Sequence, residues 1–342
     1  MTTGTDGATP PRSDTQADTN RFDKAPELAL AWHRDGIGAV LATVVETWGS
    51  APRRTGAQLV VGGDGRIEGS VSGGCVEGAV ILEAQEALAT GQHKLLEFGV
   101  SDEDAFAVGL ACGGTIRVLL EPVGKTLEEE TLEALVLARA ERRALAYEVD
   151  LRTGAGHLVN AASYPARMRL DQSGIIGEDQ AFVGVHNPPL RLIVVGAVHI
   201  AQALVPMARI AGYDSVLVEP RAAFGSAARF PGETILEDWP DEAVAKLGLD
   251  ARTALVLLTH DPKLDDPALQ AALGAECFYI GALGSSRTHG QRKQRMIAAG
   301  FSQDDIARIH GPIGLDIGAA GPAEIAVSII AEMTAVLRGR AT

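Results

Sequence analysis

Leu190-Arg-Leu-Ile-Val-Val-Gly-Ala-Val-His-Ile-Ala201 decides the fold. Leu190 to Val195 is a short apolar run of strand type that passes at once into a glycine turn and then into helical spacing as far as Ile210. Downstream the pattern alternates. Strands are predicted at Ser215 to Val218, Thr253 to Leu258 and Cys277 to Ile280, and helices around Asp241 to Leu247, Pro267 to Leu273 and Arg287 to Ala299. Alternation of this kind means a parallel sheet covered on both faces, so residues 191–342 read as a Rossmann-like, doubly wound α/β domain. A last helix starts near Pro322, where Gly321-Pro322 breaks the chain and Glu324 complements the helix dipole.

Upstream, the composition changes at His186-Asn-Pro-Pro189, and residues 186–190 read as a linker. Residues 22–185 predict a mixed α+β domain. Its expected elements are a helix from Ala25 to Arg34, a strand from Ala39 to Val45, a hairpin around Gly62-Gly-Asp-Gly65 and a helix from Val76 to Thr90. A strand from Thr115 to Glu121, a helix from Leu127 to Arg142 and a strand from Ala144 to Asp150 follow. Residues 1–21 hold hardly an apolar side chain and are expected to be disordered.

The 342 residues carry a formal net charge of −14, which argues against nucleic acid or an anionic membrane as partner, since either needs a basic footprint. Three widely spaced cysteines without a C-x-x-C pair disfavour a disulfide framework and a zinc site. With no spanning apolar run and no signal pattern, a cytoplasmic protein is expected. No G-x-S-x-G elbow, H-E-x-x-H or P-loop lysine suggests a catalytic engine.

Several turns could hold a ligand. Gly196-Ala-Val-His199 occupies the place of a dinucleotide fingerprint, with Glu219 where a ribose partner would lie. Val198 stands where the second glycine should admit a pyrophosphate, which disfavours NAD(P). His260 and Asp261, with Gly284 and Ser285, fall at strand ends where open sheets bind ligands, although both segments also make good helix caps. In the first domain Ser72-Gly-Gly-Cys75 and Cys112-Gly-Gly114 each set a thiol in a turn of small residues. Such thiols could contact a soft metal or sulfur as thiolates, or simply fill tight turns. Arg53 and Arg54 could clamp a phosphate or be solvated.

Glu46-Thr-Trp-Gly-Ser-Ala-Pro-Arg53, Gly69-Ser-Val-Ser-Gly-Gly-Cys-Val-Glu77, Leu258-Thr-His-Asp-Pro-Lys-Leu-Asp265, Tyr279-Ile-Gly-Ala-Leu-Gly-Ser285 and the Gly311 to Met333 block together resemble the XdhC/CoxI family. The resemblance implies an XdhC/CoxI domain followed by a Rossmann-like domain. It also implies a chaperone, not an enzyme, that carries molybdenum cofactor as cargo while a cysteine desulfurase supports its sulfuration. The cargo would pass to an apo xanthine dehydrogenase-type hydroxylase. The two cysteine turns and the Rossmann-like crevice are expected to share one interdomain cleft. A competing reading is an NAD(P)-dependent oxidoreductase using that crevice, and a third is a scaffold that recruits the hydroxylase without cofactor. The sequence leaves open whether the chain works as a homodimer.

Overall fold

In the computed structural model, residues 24–49, 53–99, 114–177 and 180–340 are described. The expected tail at residues 1–21 and the turn residues Cys112 and Gly113 fall outside them.

Leu190–Val195 (β10) is buried at all six positions because both of its faces are covered. Leu190, Leu192 and Val194 pack toward the helices His199–Ile210 (α5) and Pro322–Leu337 (α10). Ile193 and Val195 pack toward Pro240–Leu247 (α6), Pro262–Leu273 (α7), Ser286–Ala298 (α8) and Gln303–Ala307 (α9). Around β10 lie Tyr213–Val218 (β11), Thr234–Leu236 (β12), Thr253–Leu257 (β13), Tyr279–Ala282 (β14) and Ile309–His310 (β15). They form a parallel sheet in the order β12-β11-β10-β13-β14-β15. The order reverses between β10 and β13, which makes their carboxyl ends the switch point of a doubly wound sheet.

The amino-terminal half holds two antiparallel sheets. In the first, Ala39–Trp48 (β1) lies at the centre of Gln58–Gly62 (β2), Ile67–Gly69 (β3), Lys94–Phe98 (β4) and Thr115–Pro122 (β5), in the order β3-β2-β1-β5-β4. Alternate side chains of β1 enter two cores. Val40, Ala42 and Val44 meet the helix Glu77–Thr90 (α2), whereas Ala39, Leu41 and Val45 meet Ala25–Arg34 (α1) and Glu129–Ala140 (α3). The second sheet contains Leu145–Asp150 (β6), Gly156–Asn160 (β7), Gly174–Ile176 (β8) and Ala181–His186 (β9), in the order β7-β6-β9-β8, with the short helix Pro165–Leu170 (α4) packed on it through Met168.

Several expected elements shift at their ends. Helix α7 begins at Pro262, not Pro267, because Asp261 caps it and Pro262 takes the first-turn position where no N–H is needed. Strand β14 starts two residues after Cys277, which nonetheless stays buried. Strands β4, β7, β8, β9, β12 and β15 carry no strong alternation and were not expected from the sequence.

Candidate functional site

The topology of the first sheet gathers its loops at one end. Trp48 pairs with Thr115, Thr43 with Gln58 and Leu59 with Gly69, so the segments after β1, after β3 and before β5 leave the sheet together. Arg53, Arg54, Ser72, Gly73, Gly74, Cys75 and Gly114 therefore share one edge, and the Arg53 guanidinium donates to the Ser70 carbonyl at 3.2 Å.

The loop before α2 is wrapped around Glu77. Its carboxylate accepts the backbone N–H groups of Val71, Ser72 and Gly74 at 3.2, 2.9 and 2.9 Å, the Ser70 hydroxyl at 2.8 Å and the Ser72 hydroxyl. Burial opposes ionisation, but the hydrogen bonds from Ser72 and Ser70 outweigh it and hold the carboxyl down at about 2. An anion cradle does exist here, and its occupant is the chain's own glutamate. Cys75 sits two residues before α2, half-buried, with its N–H donated to Ser72 Oγ at 3.0 Å.

A second set of expected residues lies at the carboxyl edge of the six-stranded sheet. Gly196 has φ +107°, and a Cβ there would stand 2.6 Å from Thr259 Cγ2. The next N–H, of Ala197, donates to Glu219 Oε2 at 2.9 Å, and Arg221 grips the same carboxylate at 2.7 and 2.8 Å. Burial of Glu219 is again outweighed, by Arg221 and then by the Ala197 N–H, so its carboxyl lies below the usual range. This turn too is filled by an internal glutamate, with Glu219 fully buried. Asp261 accepts the Lys263 N–H at 3.0 Å and Ser285 the Thr288 N–H at 3.2 Å, so both cap helices. His199 and His260 are exposed, and His260 is held at φ +61°, an uncommon conformation for a non-glycine residue. Gly284 has φ +142° and lies just before the Ser285 cap.

The expectation that both sets line one cleft is not met. The halves join at the amino edge of the parallel sheet, through Arg142 to Asp250 at 3.0 Å, Arg252 to Asp171 at 2.8 Å and Arg338 to Asp171 at 3.2 Å. Gly196, His199, His260, Asp261, Gly284 and Ser285 lie at the other edge, about 20 Å away along a six-residue strand. Sequence spacing could not reveal this, because it identifies strand ends without saying which end faces the neighbouring domain.

The joint itself is hollow. One cavity of about 540 Å³ and an adjoining one of about 990 Å³ share Arg54, Thr55, Asp171, Ser173 and Arg338 in their walls. Arg252, Arg338 and Arg340 carry no sequence signal, since arginines beside strand starts and helix ends are ordinary. A smaller polar pocket of about 40 Å³ lies beside this joint, where Tyr147 donates to Glu121 at 2.7 Å. Burial pushes the Glu121 carboxyl up to about 7 despite that hydrogen bond, and burial together with Arg139 pushes His186 down to about 3. Among the described residues no three His, Cys, Asp or Glu side chains gather as a metal site, and no helix is long and apolar enough to cross a membrane.

Comparison with known proteins adds a family context. Residues 192–333 match the XdhC Rossmann domain, and residues 32–99 match the XdhC and CoxI family. The chain is 35% identical over 301 residues to a protein of Escherichia coli (strain K12) named molybdenum cofactor insertion chaperone PaoD, covering 88% of this chain and 84% of that one. It is 28% identical over 316 residues to a protein of Bacillus subtilis (strain 168) named as a probable xanthine dehydrogenase subunit, covering 86% and 92%. A crystal structure from Bacillus halodurans, described as a xanthine dehydrogenase, superposes with a TM-score of 0.71 at 26% identity, covering 93% of this chain and 97% of the other.

Proposed function

The chain belongs to the XdhC and CoxI family, and on that premise we propose that it is a chaperone that holds molybdenum cofactor and inserts it into a xanthine dehydrogenase-type hydroxylase. The observation that carries this reading is the gathering of Arg53, Arg54, Ser72 to Cys75 and Gly114 at one sheet edge, with Arg53 and Arg54 also in the wall of the hollow joint. A carrier needs room for a bulky ligand, a positive wall for its phosphate and a soft atom for its metal, and it performs no turnover. Cys75 supplies the soft atom in this proposal, with Cys112 as its expected companion. Gly196, His199, His260, Asp261, Gly284 and Ser285 stand apart from that edge, and in this reading they face the client or the desulfurase that supports sulfuration. Residues 186–190 act as the joint between a 22–185 unit and a 191–342 unit, a division supported by the end of β9 at His186 and the start of β10 at Leu190.

The test is retention of cargo. Protein purified from a cofactor-sufficient host should co-elute with molybdenum and pterin, and Cys75→Ala should reduce that retention. A chain that holds neither molybdenum nor pterin at micromolar concentration sinks the proposal.

The oxidoreductase reading keeps one supporting observation, the strand order with its switch point beside Gly196. Against it stand Val198 at the helix entrance and the engagement of Glu219 by Arg221 and Ala197. Submillimolar NAD(H) or NADP(H) binding in a calorimetric titration would favour it.

A further inference from the structure

We propose that the arginine-lined joint between the two halves is a docking site for the phosphate or pyrophosphate group of an elongated ligand. This deepens the cargo reading and rests on it only for the ligand's identity.

Three arginines line the larger cavity and five the smaller, with Arg54 and Arg338 common to both; of these six, Arg139 is already paired with Glu27 at 2.6 Å. The acidic side chain in both walls is Asp171. Elsewhere the balance runs the other way, with 44 acidic residues against 30 basic ones in the whole chain. A joint meant only to clamp two domains would set a carboxylate against each arginine. Here Asp171 is shared, its Oδ1 with Arg252 at 2.8 Å and its Oδ2 with Arg338 at 3.2 Å, while Asn187 also donates to Oδ1 at 2.7 Å. Arg252 and Arg338 complete their remaining contacts on the carbonyls of Pro188 and Leu170, at 3.1 and 3.0 Å, so two guanidinium charges share the single carboxylate of Asp171. Arg54 and Arg340 are exposed, and neither side chain has an ion pair or hydrogen bond among the described residues.

Clustered guanidinium groups in a concave joint repel one another and focus a positive potential, and an anion relieves both effects. Arginine suits phosphate in particular, because its planar fork meets two oxygens at once. The volume admits more than an inorganic ion, so the remainder of the ligand would extend along the face of α10 formed by Ala331, Thr334 and Ala335. The phosphate could belong to the carried metallopterin or to a free nucleotide.

Calorimetric titration of the full chain with inorganic pyrophosphate at low ionic strength tests the site. Saturable binding is expected, weakening as salt rises and falling by about tenfold or more in the double variant Arg54→Glu, Arg340→Glu. Arg287→Glu, at the start of α8 on the far edge, should bind like the parent. Absence of saturable heat at millimolar pyrophosphate overturns the proposal, as does equal binding by the double variant or loss in Arg287→Glu. Displacement of bound pterin by pyrophosphate would identify the phosphate as the cofactor's, whereas competition by a nucleoside diphosphate with pterin retained would identify it as a nucleotide's. If pyrophosphate binds as expected but no metallopterin is ever retained, the chaperone reading fails and the phosphate site stands.

Discussion

The two glycine turns that a reader of the sequence would pick as anion sites, Gly73-Gly74 and Gly196-Ala197, differ in one respect from the joint between the halves. Each turn presents backbone N–H groups to a buried or half-buried carboxylate of the chain itself, Glu77 in one case and Glu219 in the other. The joint presents guanidinium groups that outnumber the acids facing them. Even the loop before α10 follows the first pattern, with Glu324 accepting the N–H groups of Ala320 and Gly321 at 2.7 and 3.2 Å. These three glycine turns are thus held by internal glutamates, whereas the arginines of the joint are brought together by tertiary structure.

The two turns also differ in how much room their glycines leave. Gly196→Ala should be the more damaging of the two, because it meets left-handed strain and the Thr259 side chain together, at a cost of about 3 kcal/mol or more. Gly74, at φ +114° with nothing within 4 Å, should cost only the strain, about 1–2 kcal/mol. Denaturant unfolding of the two alanine variants checks the contrast, and equal losses would remove it.

Glu77→Gln should cost about 2 kcal/mol, since the amide places donors where Ser70, Ser72 and three backbone N–H groups need an acceptor. The carboxyl is depressed to about 2 from 4.5, so its contribution is fully present above pH 4.5 and is lost as pH falls toward 2. Hydrogen exchange at Val71, Ser72 and Gly74 should accelerate in the variant, and unchanged protection would show that the loop holds itself.

Glu121→Gln should act in the opposite direction. Glu121 binds its proton more tightly in the folded state, with its carboxyl raised from 4.5 to about 7, so stability falls as pH rises between those values. The glutamine variant should match the parent below pH 4.5 and exceed it by about 1–3 kcal/mol above pH 7. Parallel pH profiles for the two proteins would contradict this.

Asp171→Asn should bring the smallest change in stability, about 1 kcal/mol, because asparagine tolerates the left-handed backbone at φ +53° and keeps an acceptor for Arg252. It should tighten pyrophosphate binding by a few-fold, since the carboxylate shared by both cavity walls loses its charge. Weaker binding would mean that Asp171 orients the arginines for their ligand.

The carboxyl-terminal sheet was legible because β10 is apolar at five of six positions and is followed by a glycine turn, a combination that few other folds produce. The second antiparallel sheet was not, because β7 and β8 are short and half-exposed and lack period-two alternation. Glu77 closes the Gly69 to Glu77 stretch, and its role as the loop's internal anion is not written in the local spacing. It is the first residue of α2, and a carboxylate at a helix start beside serines and glycines was the available signal. Arg252 and Arg338 gave none.

The sequence alone determined the elements with strong local codes: the buried strand at Leu190–Val195, the proline- and glutamate-marked start of α10, and turns that only glycine can make. Those depend on side-chain periodicity and backbone sterics within a few residues. Which edge of the parallel sheet the first half docks against was settled only in three dimensions, and so was the meeting of Arg54, Arg252, Arg338 and Arg340 from three separate segments. The reason is physical: a charge cluster is a property of distances across space, and residues separated by up to 286 positions (Arg54 to Arg340) leave no mark of it in their local sequence.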